Sequence, residues 1–375
     1  PSPSYVLEEE KLRQNLELVS GVAEAAGVHI ILALKAYAFW PTFPLIGEYL
    51  HGATASSLNE ARLIHEEMGV RPHTYSPAYF PEELPKLAAI SSHITFNSLT
   101  ELERHRAVWS DRERYPDLST GLRVNPEYSP VATDLYNPAG PTGRLGETAP
   151  NLPDLPPPGL EGIHAHTLCE SPAATTGILI EEIEKRFGGW LPHLKWINLG
   201  GGHLMTRPGY DRDELIAILR AFRERHPHLH VIMEPGSAIA WGTGFLVTRV
   251  LDIMDNYGQQ IALLDVSFTA HMPDTLEMPY RPVVRNASAE MKDGWFPYQL
   301  GGVSCLAGDF LANYYFEQPL QVGDRLVFED MLHYTTVKTT MFNGVAHPNL
   351  AILRSGGSLE VVRRFGYEDY KQRMG

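Results

Sequence analysis

His29-Ile-Ile-Leu-Ala-Leu-Lys-Ala-Tyr-Ala-Phe-Trp40 is an apolar, strand-like run broken by a single cation, Lys35. A strand bound for a core does not ordinarily carry an ammonium. An isolated buried charge finds a carboxylate, loses its proton or is tied up covalently as an imine. The run is the first of eight, the others reading at 51–57, 73–78, 93–98, 121–126, 162–167, 196–201 and 230–236. Amphipathic stretches at 58–68, 81–89, 99–109 and 211–225 lie between them, and Asp211 with Glu214 three residues on reads as a helix N-cap. Alternation of this kind predicts an α/β fold, a parallel (β/α)8 TIM-type barrel. Functional groups in such barrels gather at the C-terminal strand ends. Here those ends carry Lys35, Ser57, Asn97, Arg123, His166, the glycines at 200–202 and Glu234.

The pattern changes after Trp241. Val-, Ile-, Leu- and Phe-rich runs at 245–253, 260–266, 324–328 and 350–353, with turn signals between them, predict a C-terminal antiparallel β domain. Ser4-Tyr-Val-Leu7 is expected to add a strand to it. The expected division is a barrel at 20–243 and a sandwich- or barrel-like β domain from 1–19 and 244–375. Residues 126–160, rich in Pro, Gly and Asn, read as a long loop on the functional face.

Bulk properties bound the function. A chain of 375 residues, 43% hydrophobic, exceeds a single core and favours two domains. Its net charge of −14 argues against nucleic acid or an anionic membrane surface as partner and suits a cationic ligand. With Cys169 and Cys305 the only cysteines, a reducing compartment is expected. Neither a long charge-free apolar segment nor a signal-like start is present, so the expected location is cytoplasmic.

Several groups carry chemistry. Asn198-Leu-Gly-Gly-Gly-His203 follows a strand, where Gly200, Gly201 and Gly202 allow close approach of backbone N–H groups to a phosphate, or simply form a flexible turn. Glu234-Pro-Gly-Ser237 puts a carboxylate at the end of the eighth run, placed to bond the ring nitrogen of pyridoxal phosphate, with helix capping as the plain alternative. His164 and His166 form an H-x-H whose spacing also suits barrel metal hydrolases. That reading needs further His and Asp ligands, whereas the first run offers Lys35 and the eighth Glu234; no metal is expected. In the second domain Gly301–Asp309 offers Cys305 and Asp309, and the stretch after Phe328 offers Tyr334.

Together these segments resemble the fold-type III pyridoxal phosphate decarboxylases, the alanine racemase-like group with ornithine, arginine and diaminopimelate decarboxylases. The segments that carry the resemblance are 33–40, 162–170, 196–203, 265–274 and 302–309. They agree best with the branch that decarboxylates carboxynorspermidine and carboxyspermidine in polyamine (norspermidine and spermidine) biosynthesis. The resemblance implies a pyridoxal 5'-phosphate lyase in which Lys35 binds the cofactor as an imine, His166 stacks on its ring, Glu234 bonds its nitrogen and Gly200–Gly202 hold its phosphate. Cys305 would donate a proton to the substrate carbon, and Tyr334 would line the phosphate or substrate side. A homodimer with shared active sites is implied, with the Cys305 segment reaching into the partner's barrel. A carboxylated triamine needs carboxylates for its ammonium groups, for which Asp265, Asp274, Glu170 and Asp309 are candidates. Two positions depart from the ornithine-type pattern: Ser237 stands where those relatives have Arg, and Thr54 where they have Asp. The alternatives are a diaminopimelate or basic amino acid decarboxylase of the same fold, and a catalytically inactive relative that acts by binding.

Overall fold

The computed structural model describes residues 1–132 and 137–375, so residues 133–136 of the expected 126–160 loop lie outside the described residues. The chain divides into two compact units, Asn15–Ile239 and Pro1–Gln14 with Ala240–Gly375. A strand, β1 (Ser4–Glu8), leads into the helix Glu9–Ala26, which carries the chain from one unit to the other. Its buried Leu12, Leu16, Val19, Val22 and Ala26 recur at three- and four-residue steps, one face of a helix.

In the first unit follow β2 (His29–Ile30), β3 (Leu32–Ala33), β4 (Ala53–Ala55), β5 (His73–Tyr75), β6 (His93–Phe96), β7 (Ser119–Asn125), β8 (Glu147–Thr148), β9 (Gly162–His164), β10 (Trp196–Asn198) and β11 (His230–Met233). All their pairings are parallel, in the order β2-β11-β10-β9-β7-β6-β5-β4-β3, and β8 is a short addition beside β7. The opening run is split. Ile31 N donates to Met233 O at 2.9 Å, whereas Leu32 N donates to Gly52 O at 3.1 Å. One run therefore pairs with the last strand through β2 and the second through β3, which closes an eight-stranded barrel.

Two devices fix this barrel locally. Ser57-Leu-Asn-Glu60 and Ser98-Leu-Thr-Glu101 start the helices after β4 and β6 in the same way. Each serine Oγ accepts from the glutamate N–H at 3.2 Å, and each carboxylate accepts from the backbone N–H just before the serine, at 2.6 Å for Ser56 and 3.1 Å for Asn97. The second device is Trp196, whose ring takes space left by two glycines: a Cβ on Gly162 would lie 2.0 Å from Trp196 Cδ2, and one on Gly121 2.3 Å from Cη2. Trp196 Nε1 donates to Ser119 Oγ at 2.8 Å. At strand starts the rings of His73 and His93, in register on β5 and β6, stack at 3.8 Å. The expected helix at 99–109 is two short ones, Leu99–Arg104 and Arg106–Trp109, separated at His105.

The second unit contains β12 (Gly244–Asn256), β13 (Gln259–Leu264), β14 (Ala287–Ser288), β15 (Phe296–Gly301), β16 (Phe310–Phe316), β17 (Arg325–Glu329), β18 (Asn349–Leu353) and β19 (Leu359–Arg363). Their order is β14-β16-β15-β13-β12-β1-β18-β19, with β17 on β12. The sheet is mixed rather than purely antiparallel, because β1 runs parallel to β18 and β13 parallel to β15. In both cases the connection is long enough for a crossover, unlike the tight turn at Tyr257 (φ 55°) and Gly258 (φ 86°) that joins β12 to β13 antiparallel. Tyr5, Leu246, Phe268, Leu300, Tyr314 and Phe328 are among its buried core.

Candidate active site

The barrel unit brings Lys35, His166, Glu234 and Gly200–Gly202 together at the C-terminal strand ends. Glu234, just past β11, is buried, and both of its oxygens are engaged: Oε1 with His164 Nε2 at 2.8 Å and Oε2 by Asn198 Nδ2 at 3.0 Å. Burial alone would raise its pKa. The neighbouring His164 ring, its hydrogen bond, His166 and the Asn198 amide outweigh burial and hold the carboxyl well below its usual range. A carboxylate offers about four acceptor sites, so two contacts leave room for another donor.

Lys35 follows β3 and is solvent-accessible, which corrects the expectation of a buried ammonium. Its surroundings still matter. Displacement of water by the surrounding protein, and then Arg123, push its pKa down, while Cys169, Glu234 and Glu60 act in the opposite sense. Glu60 thus supplies near Lys35 the kind of negative charge that Thr54 cannot. His166 is half-buried and accepts on Nδ1 from Gly201 N at 2.7 Å, while its carbonyl accepts from Arg123 Nη2 at 2.9 Å. Burial, with Lys35 and Arg123 close by, holds its imidazole well below the usual range.

The glycines are required by the protein itself. Gly200 and Gly202 have φ of 69° and 92°, and a Cβ would come within 2.6 Å of His166 Cα at the first and 2.2 Å of Leu168 O at the second. Gly200 N donates to Asn198 Oδ1 at 2.8 Å and Gly201 N to His166 Nδ1, so these two N–H groups hold the loop in shape rather than standing ready for an anion. Tyr75, Asn198 and Cys169 join the site without having been singled out as its members, and Arg123 joins it having been read only as one of the groups at the strand ends. Arg123 stacks over the Tyr75 ring at 4.7 Å, and Cys169 is an accessible thiol whose pKa is raised by burial and Glu170 and lowered by Lys35. Glu170 is exposed, at φ 46°.

His164, His166 and Glu234 place donor atoms within 4.8 Å of one another. Their closeness has a local cause: His164 is bonded to Glu234, and His166 Nδ1 is occupied by a backbone N–H.

The remaining expected residues lie in the sheet unit. Cys305 is exposed on the loop between β15 and β16, its N–H bonded to Asn343 Oδ1 at 2.8 Å, and Val303, Leu306 and Phe310 around it are exposed too. Asp309 closes that loop but is only 4% exposed. Its carboxylate accepts from Thr269 N at 3.0 Å, Ser304 N at 3.1 Å and Ser304 Oγ at 2.6 Å. Asp265 accepts from Ser2 Oγ, Thr248 Oγ1 and Arg249 N at 2.6–2.9 Å, and Asp274 pairs with Lys338. These three acids tie their own unit together. Tyr334 is half-buried at φ 55° ahead of the helix Thr335–Lys338. No helix of the described residues is long and apolar enough to cross a membrane.

Residues 15–331 match the family model described as "Pyridoxal-dependent decarboxylase, C-terminal sheet domain". The chain belongs to this family of decarboxylases, as its barrel and sheet units already suggest. Among its relatives, it is 54% identical to a carboxyaminopropylagmatine decarboxylase of Synechocystis sp., covering 100% of this chain and 96% of that one. It is 42% identical to a carboxynorspermidine/carboxyspermidine decarboxylase of Campylobacter jejuni, covering 99% and 98%. The crystal structure of the Campylobacter jejuni carboxynorspermidine decarboxylase complexed with norspermidine superposes with a TM-score of 0.92 at 41% identity, each chain covered completely. A diaminopimelate decarboxylase from Helicobacter pylori shares the fold, with a TM-score of 0.80 at 16% identity.

Proposed function

We propose that this chain decarboxylates an α-amino acid bearing a polyamine tail, and that carboxyaminopropylagmatine, whose tail ends in a guanidine, is its preferred substrate. The observation that carries this is the 54% identity over its whole length to the enzyme of that name. Carboxynorspermidine and carboxyspermidine form the second reading, favoured by the norspermidine-bound relative.

The residues fit pyridoxal phosphate. An accessible amine of depressed pKa, an imidazole held by a backbone N–H and a buried, anchored carboxylate form a donor set suited to an aldehyde on a pyridine ring. When bound, the cofactor supplies the electron sink that lets the carbon–carboxylate bond break. Lys35 is the amine that would hold it covalently, His166 would pack on the ring, and Glu234 would accept from the ring nitrogen. Gly200–Gly202 would shape the phosphate end, where donors other than Ser237 must take the part that Arg plays in relatives. The reaction releases carbon dioxide and consumes one proton at the same carbon. Cys305 would deliver that proton, in a cytoplasmic homodimer where the loop of one copy serves the barrel of the other; the exposed Val303, Leu306 and Phe310 suit burial against a second copy.

The test is product mass spectrometry after incubating the cofactor-loaded protein with carboxyaminopropylagmatine, carboxynorspermidine, carboxyspermidine, meso-diaminopimelate, ornithine and arginine. Fastest loss of carbon dioxide from the guanidine-tailed compound is expected. Preference for an amine-tailed compound would give the second reading; turnover of diaminopimelate or a simple basic amino acid alone would overturn both. Mixing Lys35→Ala and Cys305→Ala chains tests the shared site: about a quarter of wild-type activity should return through heterodimers if Cys305 acts in trans. None returns if each chain works alone.

A further inference from the structure

We propose that His164 is a positioning residue for the decarboxylation: its Nε2–H anchors one oxygen of Glu234 so that the carboxylate stays ionised and fixed for the ring nitrogen of the cofactor. This rests on the reading of Glu234 given above.

The geometry is unusually complete on one side and bare on the other. His164 is 2% exposed, and its Nε2 lies 2.8 Å from Glu234 Oε1. A carboxylate can only accept, so Nε2 carries the hydrogen. Among the described residues Nδ1 has no hydrogen-bond partner. A buried histidine normally fixes its tautomer through the nitrogen remote from its task, by a carbonyl or carboxylate. Here Glu234 itself sets the tautomer, and the two groups orient each other. Tyr75 closes over the imidazole edge-on, with ring centres 5.3 Å apart, so the ring is not free to swing away. Asn198 holds the other oxygen at 3.0 Å and is itself held by Gly200 N–H. Both oxygens are thereby pinned before any ligand arrives, and the remaining acceptor sites keep fixed directions.

Charge completes the argument. His164 and His166 act on Glu234, Glu234 acts in turn on Lys35 and His73, and Lys35 and Arg123 act on His166. A carboxylate free to turn among these groups would keep no fixed direction toward the ring nitrogen. The hydrogen bonds from His164 and Asn198 prevent this, each directed at a separate oxygen.

The experiment is nitrogen-15 NMR of pyridine-labelled pyridoxal phosphate bound to the protein, followed against pH. In the wild type the ring nitrogen should remain protonated through neutral pH. His164→Leu should lower the pH at which it deprotonates by about one unit or more, because the buried carboxylate loses half of its anchoring. His164→Gln, which restores a donor near the Nε2 position, should return the wild-type profile. An unchanged profile in His164→Leu overturns the proposal. Glu234→Gln separates this from failure of the underlying reading: if that variant also leaves the profile unchanged, Glu234 is not the ring partner at all. Should His164→Leu not fold, the tautomer seen in long-range nitrogen–proton spectra of the wild-type apoprotein decides, since a hydrogen on Nδ1 instead of Nε2 is incompatible with the proposed anchor.

Discussion

At the scale of the residue, the chemistry of the barrel unit turns on burial and neighbours together: burial and then Arg123 depress Lys35, whereas at Glu234 the neighbours outweigh burial. Lys35 stood out as a cation in an apolar run, yet its side chain is accessible; what distinguishes it is crowding by protein and Arg123, which depress its pKa. Borohydride reduction of the cofactor-loaded protein should leave a stable adduct on the peptide containing Lys35, detected by mass spectrometry. Lys35→Ala should show neither adduct nor turnover, and an adduct elsewhere would remove Lys35 from its role. The acids of the sheet unit need a different expectation. Because Asp309 accepts three hydrogen bonds in a 4% exposed position, Asp309→Asn should lower thermal stability, by about 1–3 kcal/mol. A raised KM with unchanged melting would return Asp309 to the substrate. Reading the strand ends put Lys35, His166 and Glu234 on one face of the barrel, where the structure also has them. It could not tell a substrate-facing aspartate from one that ties a loop, because that depends on which backbone N–H groups fold back onto it. Arg123 stood in plain view at a strand end, but its stacking on Tyr75 and its bond to the His166 carbonyl are tertiary facts.

At the scale of the element, the eight barrel strands were legible because each run is short and apolar, with amphipathic stretches read after four of them. The split of the first run at Ile31 was not, since it arises from closure between the first and last strands and leaves no local mark. The helix Glu9–Ala26 was legible in principle: its apolar residues recur at helical spacing, though it precedes the first recognised βα unit. Ala174–Phe187 was overlooked in the same way, with Leu179, Ile180, Ile183 and Phe187 buried. The barrel interior itself is matched by size. A Gly162→Ala change pushes a methyl to within 2.0 Å of Trp196, so it should cost about 1–3 kcal/mol in denaturant unfolding. Combining it with Trp196→Leu should cost less than the sum of the two single changes, as expected for residues in contact. Strict additivity would show that the two positions do not share that space.

At the scale of the whole molecule, sequence order sufficed for the barrel, where consecutive strands are neighbours, and failed for the sheet. There β1 pairs with β18, joining residues 4 and 349, and two of the pairings are parallel. Alternation and turn signals identify strands but do not say which distant strand they meet. The same scale governs acid stability. His203 in the barrel unit and His271 in the sheet unit are buried, and burial pushes each imidazole down to about 4. Unfolded, each would titrate near 6.5, so between those values the unfolded chain binds more protons than the folded one. Stability is therefore full above the unfolded value and falls as pH drops toward 4. The two sites are not equivalent for testing. His271 Nδ1 accepts from Ser267 N at 3.1 Å, so replacing it would strip a backbone group of its partner. Both ring nitrogens of His203 lack partners among the described residues, so His203→Phe removes the titration with little else. Near pH 5 the variant should gain about 2 kcal/mol relative to wild type, with little difference near pH 7.5. Thermal melts at the two pH values measure this directly. An equal loss in both proteins would place the acid sensitivity in other groups, with the stacked His73–His93 pair the next to be replaced.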